Sequence, residues 1–265
     1  MTQRKQRTLI TGASTGLGYE FSKLAAADGR DLILVARNTK RLDEVAAEVR
    51  ARHGVEAEVI GCDLSLAQAS QRLYEEARGR ELSVDVLINN AGFGQLGYFR
   101  HTDPGLVNAM IQTNVTALTL LTRLFLADMA ARAQGRILNV ASLAAYTPGP
   151  LMAVYHATKA YVLAFSEAIA EELRGSGVSV TALVPGITRT EFQERAGIEQ
   201  SKLGGAGMSA AEVAKAGYRA MLAGKTVCVP GAGNSLLAFL AHHTPHLVAT
   251  QVAHRMQRRL LRDRP

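Results

Sequence analysis

Apolar positions along the first 190 residues alternate between two periods. Short, nearly continuous apolar runs stand at 7–13 (RTLITGA), 31–36 (DLILVA), 56–62 (EAEVIGC), 84–90 (VDVLINN), 136–142 (RILNVAS) and 178–184 (VSVTALV). Between them lie longer runs with helical spacing, at 17–29, 39–53, 66–79, 104–133 and 152–175. A strand buried on both faces loses the polar alternation, as these runs do. Strands alternating with helices imply right-handed crossovers and a parallel sheet covered on both sides. A further helix at 209–223 and a strand at 225–230 (KTVCVP) complete the expectation. It is a single α/β, doubly wound Rossmann-type domain over 1–233, with a seven-stranded parallel sheet. Gly29, Gly54, Gly79 and Gly177 each follow a helical run, in helix-stop positions.

From 234 onward the pattern changes. An apolar run (SLLAFLA) is broken at Pro245 and followed by LVATQVAHRMQRRLLR. At helical spacing Leu247, Val248, Val252, Met256, Leu260 and Leu261 share roughly one face, with arginines elsewhere. A helical tail over 234–265, packed on its own domain or on a partner subunit, is expected. Peripheral membrane contact through the same face is the alternative.

The 265 residues suffice for one such domain, and a composition 48% hydrophobic and 20% charged fits a soluble globular chain. No run of about 20 apolar residues predicts a membrane span. The start is too polar for a signal-peptide core, which places the expected location in the cytoplasm. Cys62 and Cys228 lie far apart in strand-like runs and read as reduced, small hydrophobic residues. The formal charge of +7 resides wholly in the two ends, 1–7 and 255–265. The body is balanced, so no nucleic-acid partner is expected.

Candidate chemistry begins at TGASTGLG, Thr11–Gly18, between the first strand and the first helix. Glycines there let the backbone approach a pyrophosphate, and the helix N-terminus offers it unpaired N–H groups. Gly12, Ser14, Thr15, Gly16, Leu17 and Gly18 are the candidate residues. The spacing is G-x-x-x-G-x-G instead of the common dinucleotide fingerprint. The second strand ends at Ala36-Arg37, where an NAD site would carry a carboxylate for the ribose 2′-OH. A guanidinium suits a 2′-phosphate, so Arg37 points to NADP(H); a solvent-exposed arginine is the plain alternative. Arg41 and Ser14 are further candidates for the same phosphate.

Tyr155 and Lys159 stand four apart in a helical run and project from one face. A nearby ammonium lowers a phenol's pKa, which would make Tyr155 a proton donor and acceptor for a carbonyl/alcohol pair. Ser142 closes the fifth strand, where ligands gather in parallel sheets. Asn114 is a mediocre helix former placed inside a long helical run.

Together these residues resemble the classical short-chain dehydrogenase/reductase family over about residues 7–230. The motifs are TGASTGLG, Asp63 in CDLS, NNAG at 89–92, Asn114, Ser142, YHATK at 155–159 and PGITRT at 185–190. The resemblance implies a catalytic set of Asn114, Ser142, Tyr155 and Lys159. It implies that Asp63 and Leu64 lie at the adenine and that Asn90, Ala91 and Gly92 line the cofactor. Tyr155 and Lys159 would also touch the cofactor, Lys159 at the nicotinamide ribose, and Asn114 would hold a water linking Lys159 to solvent. Backbone at Ile187 and Thr188 and the Thr190 hydroxyl would hold the carboxamide end, with Pro185 and Gly186 also at the cofactor. It further implies a homodimer or homotetramer through the helices at 104–133 and 152–175. The whole chain, tail included, is similar to a bacterial subgroup of the family, a likeness that implies no substrate.

The expected function is hydride transfer between NADP(H) and a carbonyl or secondary alcohol. The alternative is an NADPH-binding regulatory or sensor protein without turnover. The pocket is expected from Phe93, Leu96, Tyr98, Leu143, Tyr146, Leu151, Met152 and the segment after Phe192, mostly apolar, which favours a lipophilic substrate. Gly197, Gly204, Gly205 and Gly207 fit a mobile lid or an ordinary loop. GKT at 224–226 lacks the P-loop's earlier glycine, since Arg219 stands there. Asn114-Val115-Thr116 matches a glycosylation sequon that a cytoplasmic helix would not use. No metal site is expected, His242, His243 and His246 lacking a nearby cysteine or carboxylate.

Overall fold

Successive residues of the first strand, β1 (Arg7–Thr11), feed two separate cores: Leu9 packs into one apolar cluster and Ile10 into the other. The next strand, β2 (Asp31–Ala36), repeats this, sending Leu32 and Leu34 one way and Ile33 and Val35 the other. That alternation is the signature of a sheet covered on both faces. The computed structural model describes residues 5–198 and 207–260. The remaining strands of the main sheet are β3 (Ala57–Gly61), β4 (Val86–Asn89), β5 (Gly135–Val140), β6 (Val178–Leu183) and, last in the chain, β9 (Val227–Cys228). Seven parallel strands run in the order β3-β2-β1-β4-β5-β6-β9. This is the Rossmann arrangement, with its switch point between β1 and β4.

Helices α1 (Gly16–Ala27), α2 (Thr39–His53) and α8 (Ala210–Leu222) cover one face through Phe21, Val45, Val213 and Met221. Helices α3 (Ala69–Gly79), α5 (Leu118–Ala131) and α6 (Ala153–Glu172) cover the other through Leu73, Leu121, Phe125 and Ile169.

The expected helix at 104–133 is not uniform. α4 (Pro104–Ile111) passes into a π-helical segment, Gln112–Ala117, before α5 resumes the ordinary ladder. The widened turn is centred on Asn114. The stretch Pro104–Ala131 is long and apolar enough to cross a membrane by composition, contrary to the sequence expectation. Here it lies on the sheet with Leu118, Leu121, Phe125 and Met129 buried.

Gly79 is also not a stop in the expected sense. It is the last residue of α3, and Glu81 takes the left-handed position with φ 56°. Two short strands, β7 (Thr188–Arg189) and β8 (Met208–Ser209), pair in parallel and fasten the segment around the short α7 (Phe192–Arg195). Neither strand is visible in the sequence, because two residues carry no period. Gly204 and Gly205 of the expected lid lie outside the described residues.

The tail forms two helices, α9 (Ala232–His243) and α10 (His246–Arg258). Of the expected apolar face of this tail only Leu260 packs on the domain among the described residues. Leu247, Val248, Val252 and Met256 are exposed, and it is Ala249, Gln257 and Leu260 that turn inward. Leu261 lies outside the described residues.

Candidate functional site

The crevice at the carboxyl ends of β1 and β4 is built by close backbone approach. Gly12 and Gly16 have positive φ, 66° and 56°. A Cβ on Gly18 would meet the Gly12 carbonyl oxygen at 2.1 Å, so only glycine permits α1 to start this close to β1. Asn90 braces the turn, its Nδ2 donating to the carbonyls of Thr11 (2.9 Å) and Gly12 (3.2 Å). Thr11 Oγ1 accepts from the backbone N–H groups of Asn90 and Ala91, both at 3.0 Å. Thr15 caps α1 in extended geometry without a side-chain cap bond among the described residues. Its hydroxyl, that of Ser14 and the first N–H groups of α1 therefore remain at a helix N-terminus suited to an anion. Leu17 turns its side chain into the core and can offer a ligand only backbone.

At the far end of the crevice Arg37 is exposed at the end of β2, near Asp63. Asp63 Oδ1 accepts from Ser65 N (3.0 Å) and Ser65 Oγ (2.7 Å). Desolvation pushes this carboxyl up, but the Ser65 bonds and the Arg37 charge outweigh it and hold its pKa below the usual value. Leu64 is buried in the core, so it too contributes by backbone. Arg41 is committed to Glu44 at 2.6 Å and lies over the Tyr19 ring, which leaves Arg37 the less engaged cation.

Asn114 explains the π-helical turn. Its Oδ1 accepts from Phe93 N (3.1 Å), and its Nδ2 donates to Phe93 O (2.9 Å) and Thr158 Oγ1 (3.1 Å). These bonds hold the Phe93 backbone against the widened turn. A Cβ on Gly92 would lie 3.0 Å from Asn114 Oδ1 and 3.5 Å from Lys159 Nζ. The NNAG stretch thus passes directly over both groups.

Lys159 is buried, with one of its three donors given to Val140 O at 2.7 Å. Desolvation lowers its pKa to about 8. Its Nζ lies 5.8 Å from the centre of the Tyr155 ring. Tyr155 is half-buried between Phe192 (ring centres 5.4 Å) and His156 (6.2 Å). Desolvation pushes its pKa up to about 12, and a hydrogen bond with Ser142 pulls the other way. The sequence expectation that Lys159 lowers the phenol's pKa is therefore corrected for the free protein. Burial dominates, and the ammonium is bonded to Val140 O, 5.8 Å from the centre of the phenol ring. Ser142 Oγ also accepts from Ala144 N at 3.2 Å, which leaves its proton free to donate toward the pocket.

The loop after β6 closes the crevice. Pro185 O accepts from Leu143 N (2.9 Å), tying the loop to Ser142. Gly186 leaves room for Asn234, whose Oδ1 would stand 2.5 Å from a Cβ there. Ile187 is exposed, Thr188 Oγ1 donates to Gly186 O (3.1 Å), and Gln193 Nε2 donates to Thr188 O (2.5 Å). Thr190 lies against the glycine turn, its Cγ2 3.3 Å from a Cβ built on Gly16.

Beneath the site runs a buried polar chain. Asn89 and Asn139 are neighbours in register on β4 and β5. Asn89 Nδ2 donates to Asn139 Oδ1 (2.9 Å) and Thr122 Oγ1 (3.0 Å), Asn139 Nδ2 to Ser166 Oγ (3.0 Å), and Ser166 Oγ to Val162 O (2.6 Å). Sequence reasoning assigned no role to Asn139, Thr122, Ser166 or Thr158. The one available signal was two asparagines inside otherwise apolar strands.

The apolar side of the site is a cluster of Leu96, Leu151, Met152, Ala196 and Ile198, with Tyr155, Phe192 and Leu260 against it. Leu143 and Tyr146, expected here, pack instead with Leu118, Val162 and Val184. The short 3₁₀ turn Leu143–Tyr146 swings them away, and Tyr146 meets His242 of α9 edge-on at 6.2 Å. Tyr98 is exposed and paired with His101.

A nicotinamide dinucleotide fits these residues, since the glycine cradle, the unpaired helix start and the buried ammonium converge on one crevice. Residues 6–201 match the family model for short chain dehydrogenases. A very-long-chain 3-oxoacyl-CoA reductase of Anas platyrhynchos is 34% identical over 193 residues, taking in 70% of this chain and 61% of the relative. The chain spans about three fifths of the length of the curated relatives it matches. A short-chain dehydrogenase from Sphingobium yanoikuyae, in complex with NADPH, superimposes with a TM-score of 0.81 at 31% identity, covering 98% of both chains. The bulky-bulky ketone specific alcohol dehydrogenase from Comamonas testosteroni gives 0.77 at 28% identity, covering 99% of this chain and 97% of that one.

Proposed function

The chain belongs to the short chain dehydrogenase family, and on that premise we propose that it is an NADP(H)-dependent oxidoreductase that reduces a lipophilic carbonyl to a secondary alcohol. The observation that carries this reading is the convergence of Ser142, Tyr155 and Lys159 beside an apolar pocket and a glycine-walled crevice.

A bound nicotinamide supplies the hydride. Ser142 and Tyr155 hydrogen-bond the substrate oxygen as negative charge develops on it. Tyr155 then gives up its proton to that oxygen. A phenol kept protonated by burial is the donor that carbonyl reduction needs. Lys159, with two donors unspent at Val140, holds ribose hydroxyls and lends its charge to the phenol once it ionises. Asn114 fixes Gly92 and Phe93 over the ammonium. Leu96, Leu151, Met152 and Phe192 exclude water and favour an apolar substrate; the Comamonas testosteroni alcohol dehydrogenase, specific for bulky-bulky ketones, agrees with that choice.

NADP(H) is preferred because Arg37 stands where a carboxylate would select NAD. Replacement of Arg37 by aspartate is expected to weaken NADPH by about tenfold to a hundredfold, the worth of one charged hydrogen bond, while NADH binding holds or improves. Equal loss for both cofactors would remove Arg37 from the 2′-phosphate.

Lys159 sets the alkaline limit. Its pKa is lowered to about 8, so the charge is present below that pH and lost above it. The kcat/KM for reduction should therefore fall as pH rises through about 8, since that parameter reports the free enzyme. A limb at pH 10 or higher would assign it to Tyr155 instead.

The outward sides of α4–α5 and α6 carry Leu120 and Tyr161, with Tyr161 stacked on Phe165 and bonded to Thr119 (3.1 Å). That half-exposed strip is the surface through which we expect a homodimer. The reading as a whole is tested by NADPH oxidation against carbonyls graded from small and polar to long-chain and polycyclic. Turnover rising with apolar size is expected. Tight NADPH binding with no carbonyl reduced would favour a regulatory protein instead.

A further inference from the structure

The two tail helices, α9 and α10, each have sides of opposite character. The inner sides hold them to the rim of the site. Ala238 and Ala249 are buried, Leu260 packs against the apolar cluster beside Tyr155, and Gln257 Nε2 lies 2.8 Å from His156 Nε2. His156 Nδ1 faces Thr147 O at 2.8 Å and so carries the ring proton. Its Nε2 then accepts from Gln257. α10 is thereby fastened to the residue that follows Tyr155 in α6.

The outer face is apolar and uncovered. Leu236, Leu237, Phe239 and Leu240 of α9 are 51–60% exposed, and Leu247, Val248, Val252 and Met256 of α10 are 48–72% exposed. These are eight of the fifteen large apolar side chains exposed among the described residues, and concentration of that kind marks a contact surface. At 3.6 residues per turn, Arg255 and Arg259 fall between Val248, Val252 and Met256 on the same outward side. No acidic residue occurs anywhere in 213–262, so nothing on the two helices neutralises these cations. A second copy meeting this face across a two-fold axis would set arginine against arginine. A surface that is apolar and cationic with no anion of its own is instead complementary to an anionic bilayer.

We propose that the exposed sides of α9 and α10 dock the protein on anionic lipid. Leu236, Leu237, Leu247, Val252 and Met256 enter the acyl boundary, and Arg255 and Arg259 extend to headgroup phosphates. Because the opposite face holds the rim of the Tyr155 pocket, docking sets that pocket close to the membrane, where lipophilic carbonyls partition. The pocket's role rests on the oxidoreductase reading; the docking does not.

The test is co-sedimentation of the whole chain with vesicles of phosphatidylcholine alone and of phosphatidylcholine mixed with phosphatidylglycerol. The protein is expected to sediment with the mixed vesicles far more than with the neutral ones. A Val252→Glu/Met256→Glu variant should lose binding by about a hundredfold, roughly tenfold for each side chain withheld from lipid. Both positions are exposed, so its melting temperature and NADPH affinity should not change. An Arg255→Ser/Arg259→Ser variant should lose the preference for anionic vesicles. Absence of binding to either vesicle overturns the proposal. So does a wild-type dimer that the Val252→Glu/Met256→Glu variant turns into monomer without any vesicle binding, which would give the surface to a second copy. Sedimentation is read without turnover, so its failure is distinguishable from failure of the oxidoreductase reading.

Discussion

Replacing Tyr155 with phenylalanine is expected to cut carbonyl reduction by about 10²–10⁴-fold, the usual worth of a positioned proton donor. The ring itself is retained by packing. It lies against Phe192 and His156, and a Cβ on Gly94 would come within 3.0 Å of its Cδ2. Phenylalanine fills the same space, so only the hydroxyl is lost. The loss should fall on kcat, with NADPH affinity within a few-fold of wild type, because the donor acts on charge that develops only in the transition state. Ser142 still offers one hydrogen bond to the substrate oxygen, which is why activity is reduced and not abolished. Steady-state kinetics beside NADPH titration by fluorescence separates the two quantities. A kcat within threefold of wild type would mean that another group delivers the proton.

Replacing Asn139 with leucine should be the most costly change to stability near the site, at about 2–4 kcal/mol. The side chain is fully buried and lies in the middle of the polar chain from Thr122 to Val162. Leucine removes an acceptor from Asn89 and a donor from Ser166, and a buried polar group left short of a partner costs about 1–3 kcal/mol. Among the described residues Asn89 Oδ1 has no hydrogen-bond partner, so only the Nδ2 bond to Thr122 would remain to its side chain. Urea unfolding of both proteins gives the difference directly. A midpoint equal to that of wild type would show that the chain of amides adds nothing net. Because Asn89 precedes Asn90 and Asn139 lies three residues before Ser142, loss of register should also loosen NADPH binding. That separates a positioning role from a purely structural one.

Much of the fold was legible because each element is signalled by its own neighbours. The runs at 31–36 and 39–53 coincide with β2 and α2, where apolar period and breakers agree. The glycine turn was legible for the same reason: positive φ at Gly12 and Gly16 is a local demand that glycine meets. Expectation failed where a partner is remote. The π-helical turn at Asn114 exists for bonds to Phe93 and Thr158, 21 and 44 residues away. Leu143 and Tyr146 read as pocket residues but are claimed by the α6 and β6 side of the core. The tail is amphipathic, yet most of its apolar side faces out, while Ala249, Gln257 and Leu260 meet the domain.

The sequence by itself therefore determined the order and type of the main elements, the parallel sheet, and the identity of the groups that meet at its carboxyl edge. Periodicity, breakers and side-chain chemistry are properties of a residue and its near neighbours, and they need no knowledge of the rest of the chain. Only the tertiary structure decided how those groups behave. Burial raises Tyr155 and lowers Lys159 because water is excluded by segments well separated in the chain, Phe192 and the NNAG stretch among them. It also decided which face of the tail is left to solvent, since that depends on the shape of the surface waiting to receive it.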